Sequence, residues 1–151
     1  MSSENELVVE RGLKNFQGGY NCAQSVLLAL YGAICPESKS ELIPKVAVGF
    51  GGGIGRCGSV CGALTGSIMA VGIKYGSNEA DREKQAKAYA NAASLYRLFE
   101  KQNSSVLCKD LTKCDLSSPE GMAKARQEKV FEKVCGNLIK GSIMNFLELE
   151  K

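Results

Sequence analysis

Seven cysteines and no histidine set the chemistry open to this 151-residue chain. The cysteines are Cys22, Cys35, Cys57, Cys61, Cys108, Cys114 and Cys135. Without histidine the chain can build neither a Ser-His-Asp triad nor a Cys-His nucleophile pair. It offers no histidine to zinc, to a Rieske-type cluster or to haem, and no CxxCH attachment motif is present, so haem is not expected. An odd number of thiols cannot all pair. No two cysteines have CxxC spacing, the signature of zinc ribbons and bacterial ferredoxins. Any metal centre would have to be assembled by the fold from distant segments.

Two thiols stand out on local grounds. Cys22 follows Asn21, which caps a predicted helix with Gln24 in the capping-box position. Cys61 falls in the first turn of another predicted helix. Helix N-termini carry partial positive charge and free N–H groups, which favour the thiolate needed for nucleophilic attack or metal ligation. If the chemistry is thiol redox, Cys22 and Cys61 are the candidate catalytic residues. The competing reading is that each is a small buried hydrophobe. Cys57 lies four residues before Cys61, on the same face if that helix begins early, with Arg56 beside it. Cys108 and Cys114 bracket a short turn next to Lys109 and Lys113. Cys135 sits among Phe131, Val134, Leu138 and Ile139 at helical spacing and reads as core. Cys35, before Pro36, reads as incidental.

Gly53-x-Gly55-x-x-Gly58 formally matches the dinucleotide fingerprint, and Glu79 lies roughly 20 residues further on. That pattern needs a preceding strand and a surrounding βαβ unit. Val46-Ala47-Val48 is a poor strand, so tight packing between loop and helix is the expected role of these glycines.

The elements that must position the cysteines read as helices throughout. A first helix spans Asn5 to Phe16 on Val9, Leu13 and Phe16, and Gly18-Gly19 breaks it. The second runs from Asn21 to the region of Gly32 to Pro36 on Val26, Leu27 and Leu30. Ser40 caps a third through Val46 and Val48. After the Gly51–Arg56 loop, a fourth helix spans Val60 to Lys74, and Gly58, Gly62 and Gly66 repeat every four residues on one face. Ser77 or Asn78 caps a long fifth helix to about Gln102, with Ala86, Tyr89, Ala93, Tyr96 and Phe99 as its buried face. A single turn covers Cys108 to Lys113. Ser118 and Pro119 open a last helical region to about Leu149, interrupted near Gly136 or Gly141. The expectation is an all-α, single-domain bundle over residues 1–151, of about five to seven helices, with a Gly-rich loop before a central small-residue helix.

The net charge is +3, with Lys and Arg scattered and aromatic residues few, so nucleic acid is not an expected partner. Cys57 to Ile73 carries no charge. It is short of a spanning length and rich in Gly, Ser and Thr, which favours a buried helix over a membrane span. The polar, acidic Met1–Glu6 segment lacks the pattern of a signal peptide. A cytoplasmic setting with reduced thiols is therefore expected, favouring metal or catalytic roles over structural disulfides.

Gly19-Tyr20-Asn21-Cys22-Ala23-Gln24-Ser25-Val26 resembles the opening of the C_GCAxxG_C_C family of redox-active proteins. The Gly51–Arg56 loop fits that family, and Cys61-Gly62-Ala63-Leu64-Thr65-Gly66 matches its Cys-Gly-Ala-x-x-Gly motif. Cys108–Thr112 and Asp115–Gly121 resemble its third segment and Cys135 its last cysteine, so the similarity runs from about Glu10 to Leu149. The resemblance implies that Cys22, Cys61, Cys108 and Cys135 are the characteristic cysteines and raises Cys135 from core filler to candidate ligand. A related domain occurs in split-Soret cytochromes, where cysteines are associated with an iron–sulfur centre beside haem. Only the iron–sulfur half carries over to a chain without histidine.

The leading expectation is a metal centre on those four cysteines. A 2Fe–2S cluster serving electron transfer with an unidentified redox protein comes first, with a second copy of the chain a further candidate partner. Four thiolates are the right number and type. Gly52, Gly53 and Gly55 would let backbone approach the centre, and Cys57 and Cys114 are reserve ligands. One alternative is metal-free thiol–disulfide exchange, in which Cys22 or Cys61 attacks and Cys57 or Cys108 resolves. Another is a structural four-cysteine zinc site or a cysteine-lined core in an interaction module.

Overall fold

The computed structural model describes residues 2–149. Helix α1 (Ser3–Gln17) opens where the Ser2 hydroxyl accepts the Asn5 N–H at 3.2 Å. Helix α2 (Cys22–Ile34) opens with a complete capping box: Asn21 accepts the Gln24 N–H, and the Gln24 side chain accepts the Asn21 N–H. Helix α3 (Leu42–Ala47) is shorter than the sequence suggests and tightens into one 3-10 turn at Val48–Phe50. Helix α4 (Gly62–Tyr75) follows the glycine loop, and α5 (Arg82–Asn103) starts where Asp81, rather than Ser77 or Asn78, accepts the Lys84 N–H. The chain ends through α6 (Cys108–Thr112), α7 (Pro119–Gln127), a π-helical turn (Phe131–Cys135) and α8 (Gly136–Leu147). The fold is all-α, as expected, and holds eight α-helices and no strand among the described residues.

The count exceeds five to seven because the last region divides. The break falls after Gln127, where Lys129 turns left-handed at φ 55°, and the chain runs helically through Gly136 and Gly141. The buried face of α5 also differs. Leu95 and Phe99 are buried, with Ala88 and Ala92 packed beside them, whereas Tyr89 is 67% and Tyr96 39% exposed. Positions 88, 92, 95 and 99 form a 4-3-4 stripe of their own, and the aromatic rings had suggested its neighbour.

Helices α2 and α4 form the centre. Val26, Leu27, Leu30, Ala63, Leu64 and Val71 are essentially inaccessible to water. Fully burying each larger aliphatic side chain contributes about 1.5–3 kcal/mol. The two backbones meet at Gly62 and Gly66: a Cβ on Gly66 would stand 2.6 Å from the Ala23 carbonyl oxygen. Alanine ordinarily stabilises a helix interior by about 1 kcal/mol over glycine. Here Gly66→Ala is expected to destabilise by about 1–3 kcal/mol, because the oxygen belongs to backbone and cannot rotate away. Chemical denaturation reads the sign directly.

The uncharged Cys57–Ile73 stretch becomes the end of the loop and most of α4. Among the described residues no helix is long and apolar enough to cross a membrane.

Candidate thiol centre

Each of the four cysteines expected to form the centre sits where an element begins or ends. Cys22 is the first residue of α2, Cys61 the N-cap of α4, Cys108 the first residue of α6 and Cys135 the last of the π-helical turn. Short backbone ties bring two of them together. Val60 and Leu107 form an isolated antiparallel bridge, the Cys61 N–H donates to the Val106 carbonyl at 2.8 Å, and the Cys108 N–H donates to the Ser59 carbonyl at 2.7 Å. The start of α4 is thereby joined to the start of α6. The packing of α2 on α4 adds Cys22, and the π turn before α8 adds Cys135.

All four cysteines line one internal chamber of about 30 Å³, whose other walls include Gly52, Leu111, Leu116, Phe131 and Leu138. By the same measure a single water needs roughly 10–15 Å³, so the chamber is small and its walls are mostly apolar. Apart from sulfur, the polar side chain there is Thr112, whose hydroxyl donates to the Cys108 carbonyl at 2.8 Å.

Burial reverses the acidity that helix position alone implies. Loss of water pushes the Cys61 thiol up to about 12; the N–H groups of Ala63 and Leu64 oppose this only in part, and no side-chain cap hydrogen bond closes there. Burial, with Cys135 nearby, pushes Cys108 up to about 11. Cys22 is raised well above its ordinary value, first because its S–H donates to Cys135 and then by burial. Cys135 is lowered, because the Cys22 thiol stabilises its thiolate. The two titrate as a pair, with Cys135 releasing its proton first. Cys22 as a residue is only half-buried, since one side of it faces a larger cleft, while its sulfur lies within the cluster. The acidic member is thus the cysteine that local sequence placed in the core.

The glycines act by letting carbon approach sulfur-bearing residues. A Cβ on Gly53 would stand 2.7 Å from the Cys108 Cβ, and one on Gly62 3.3 Å from the Cys22 Cβ. Gly52 lines the chamber, whereas Gly55 borders only the larger cleft. The GxGxxG pattern makes a loop tied to itself: the N–H groups of Gly55, Arg56, Gly58 and Ser59 donate to the carbonyls of Gly49, Gly51, Gly52 and Gly53. Cys57 is exposed on this loop, outside α4, and does not border the chamber. Cys114 is buried in a small satellite core with Leu116, Ala125 and Val130, and Cys35 caps the end of α2. Neither reserve ligand reaches the chamber walls. Phe131 and Thr112 were missed by sequence reasoning. Thr112 could have been suspected from its position four residues after Cys108 in one helical turn.

The sequence profile of the family described as "Putative redox-active protein (C_GCAxxG_C_C)" matches residues 20–149. The chain belongs to the C_GCAxxG_C_C family. The four cysteines that the resemblance singled out, Cys22, Cys61, Cys108 and Cys135, lie within the matched residues and line the chamber. A protein of Archaeoglobus fulgidus named "Uncharacterized protein" is 35% identical over 132 residues, covering 82% of this chain and 87% of the relative. No solved structure matches the chain.

The donor set of the C_GCAxxG_C_C chamber fits a thiolate-held centre in type and number. Among the described residues no group of three or more Cys, Asp or Glu side chains stands in position to hold a metal ion. Loading a metal would therefore have to expel protons and bring the sulfurs into coordination together.

Proposed function

We propose that this C_GCAxxG_C_C protein is a redox protein whose working centre is the chamber formed by Cys22, Cys61, Cys108 and Cys135. The observation that carries this reading is the convergence of four thiols from four separate segments on one apolar chamber. On the first form of the reading these cysteines hold a metal centre, a 2Fe–2S cluster before zinc, and the protein carries electrons for a redox protein partner. A bound 2Fe–2S cluster would supply one-electron transfer. The chain's own residues do the rest. The four cysteines give up their protons, Gly52 and Gly53 keep the loop close, and Leu111, Leu116, Phe131 and Leu138 exclude water. Because ligation requires thiolates, the raised Cys61 and Cys108 make loading weaken as pH falls. Reduced thiols suit a cytoplasmic setting.

A second form is favoured by the meeting of Cys22 and Cys135 on one chamber, where each shifts the acidity of the other. Cys22, which borders the larger cleft, passes its proton to the Cys135 thiolate and attacks one sulfur of a substrate disulfide, releasing the other as a thiolate that takes up this proton. Cys135 then attacks the Cys22 sulfur of the mixed disulfide. The second substrate sulfur leaves as a thiolate and takes a proton from solvent, and a Cys22–Cys135 disulfide remains. Two electrons pass from protein to substrate. This pairing replaces the expected resolving roles of Cys57 and Cys108.

One preparation tests both. Protein purified without oxygen is assayed for iron, acid-labile sulfide and zinc, and by visible and EPR spectroscopy. Iron and sulfide in equal amounts, with a spectrum lost in Cys61→Ala, support the cluster. Metal-free protein that forms a Cys22–Cys135 disulfide with an added disulfide, seen by peptide mapping, supports exchange. Metal-free protein that leaves all four thiols unchanged overturns the redox reading.

A further inference from the structure

Beside the sulfur chamber lies a second, far larger opening. A cleft of about 1000 Å³ runs between the start of α2, the glycine loop, α7 and α8. That is at the upper end of the range for small-molecule pockets. Cys22 is the one cysteine in its wall, and Gly52, Leu116 and Phe131 border both spaces. The cleft thus borders the residue whose sulfur the chamber encloses.

Its chemistry is two-sided. Leu13, Phe16, Met122 and Phe131 give it an apolar wall. Three cations from three different elements also border it: Arg56 from the loop, Arg126 from α7 and Lys140 from α8, against the single carboxylate of Glu132. Among the described residues none of these three side chains forms an ion pair or a hydrogen bond. Arg56 is held there by backbone. It sits at φ 66°, a conformation that L-residues adopt at a cost, and its N–H donates to the Gly51 carbonyl at 3.1 Å. Gly52 admits it, since a Cβ there would stand 2.8 Å from the Arg56 Cα and Cγ. A backbone strained to set a cation beside a cleft is the pattern of a binding site.

We propose that this cleft binds a small organic anion with an aromatic or apolar body, its charge met by Arg56, Arg126 and Lys140 and its body lying along Phe16 and Phe131 toward Cys22. Binding stands on the cleft alone; only the anion's role as a reactant of the centre rests on the redox reading.

The test uses the full chain, metal-free and reduced, titrated calorimetrically with naphthalenesulfonate and with neutral naphthalenemethanol. The sulfonate is expected to saturate one site per chain at least tenfold more tightly than the alcohol, and to weaken as salt is added. Arg126→Gln combined with Lys140→Gln, both at exposed positions, is expected to cost about tenfold in sulfonate affinity at unchanged thermal stability. Saturating sulfonate should slow iodoacetamide labelling of Cys22 at least fivefold, read by peptide mapping. Equal binding of the two ligands, no saturable site, or binding that leaves Cys22 labelling unchanged overturns the proposal. Failure of the redox reading shows separately, in metal content and disulfide formation.

Discussion

Alanine at Gly53 is expected to remove about 2–5 kcal/mol of stability and to detach Cys108 from the chamber. Two costs add at this position. Gly53 sits at φ 70°, where a side chain costs about 1–2 kcal/mol. Its added Cβ would also stand 2.5 Å from the Ser59 carbonyl oxygen, 2.6 Å from the Ser59 nitrogen and 2.7 Å from the Cys108 Cβ. Two of these are backbone atoms and none is the free end of a flexible side chain, so overpacking adds about 1–3 kcal/mol. The same Ser59 carbonyl accepts the Cys108 N–H, and the Ser59 N–H donates to Gly53, so relief by movement opens the tie that sets Cys108 beside Cys61. Gly55→Ala is the control: it has φ 55° but nothing within 4 Å of its Cβ, so only the conformational cost of about 1–2 kcal/mol applies. Urea unfolding of the two variants, with the labelling rate of Cys108 in the folded state, separates the terms of approach from those of backbone strain. Equal losses in the two variants would contradict the close approach.

That comparison also marks the boundary of what the sequence discloses. The helices are legible because their signals are local: Asn21 with Gln24, Ser118 before Pro119, and the apolar stripe of Val26, Leu27 and Leu30 are each read within a few residues. The close approach of α2 and α4 is legible in part, because Gly62 and Gly66 leave no side chain between backbones. The convergence of the cysteines is not. Cys22 and Cys135 are joined only after α8 has packed back against α1, α2 and α4. No spacing encodes that, and periodicity alone placed Cys135 in the core, which is also where it lies. Motif order supplied the grouping that periodicity could not. The acidity of the thiols is hidden from the sequence for a related reason. A helix N-terminus is a local feature and visible in sequence, whereas the desolvation that outweighs it at Cys61 depends on everything packed around the chamber.

The same desolvation makes metal-free, reduced protein lose stability steeply in alkali. Cys61 has an ordinary value of 9.0 and is pushed up to about 12 in the fold. Below pH 9 the thiol is protonated in both folded and unfolded chains, so the full stabilising difference is present. Between pH 9 and about 12 the unfolded chain releases this proton while the folded chain retains it. Stability then falls by about 1.4 kcal/mol per pH unit for one thiol, a total of about 4 kcal/mol across the window. Cys108, raised to about 11, adds to the fall over the lower part of that range. Cys22, also raised, adds to the fall above pH 9, whereas the lowered Cys135 acts only below pH 9, where it makes stability rise with pH. Urea denaturation at a series of pH values, repeated for Cys61→Ala, isolates the effect. The variant loses some packing at every pH, which shifts its whole curve downward. The decisive quantity is the slope, which should be shallower than that of the parent chain by close to one proton between pH 9 and 12. Parallel curves would mean that the Cys61 thiol is as free to ionise in the folded chamber as in the open chain, and that the chamber does not withhold water from it.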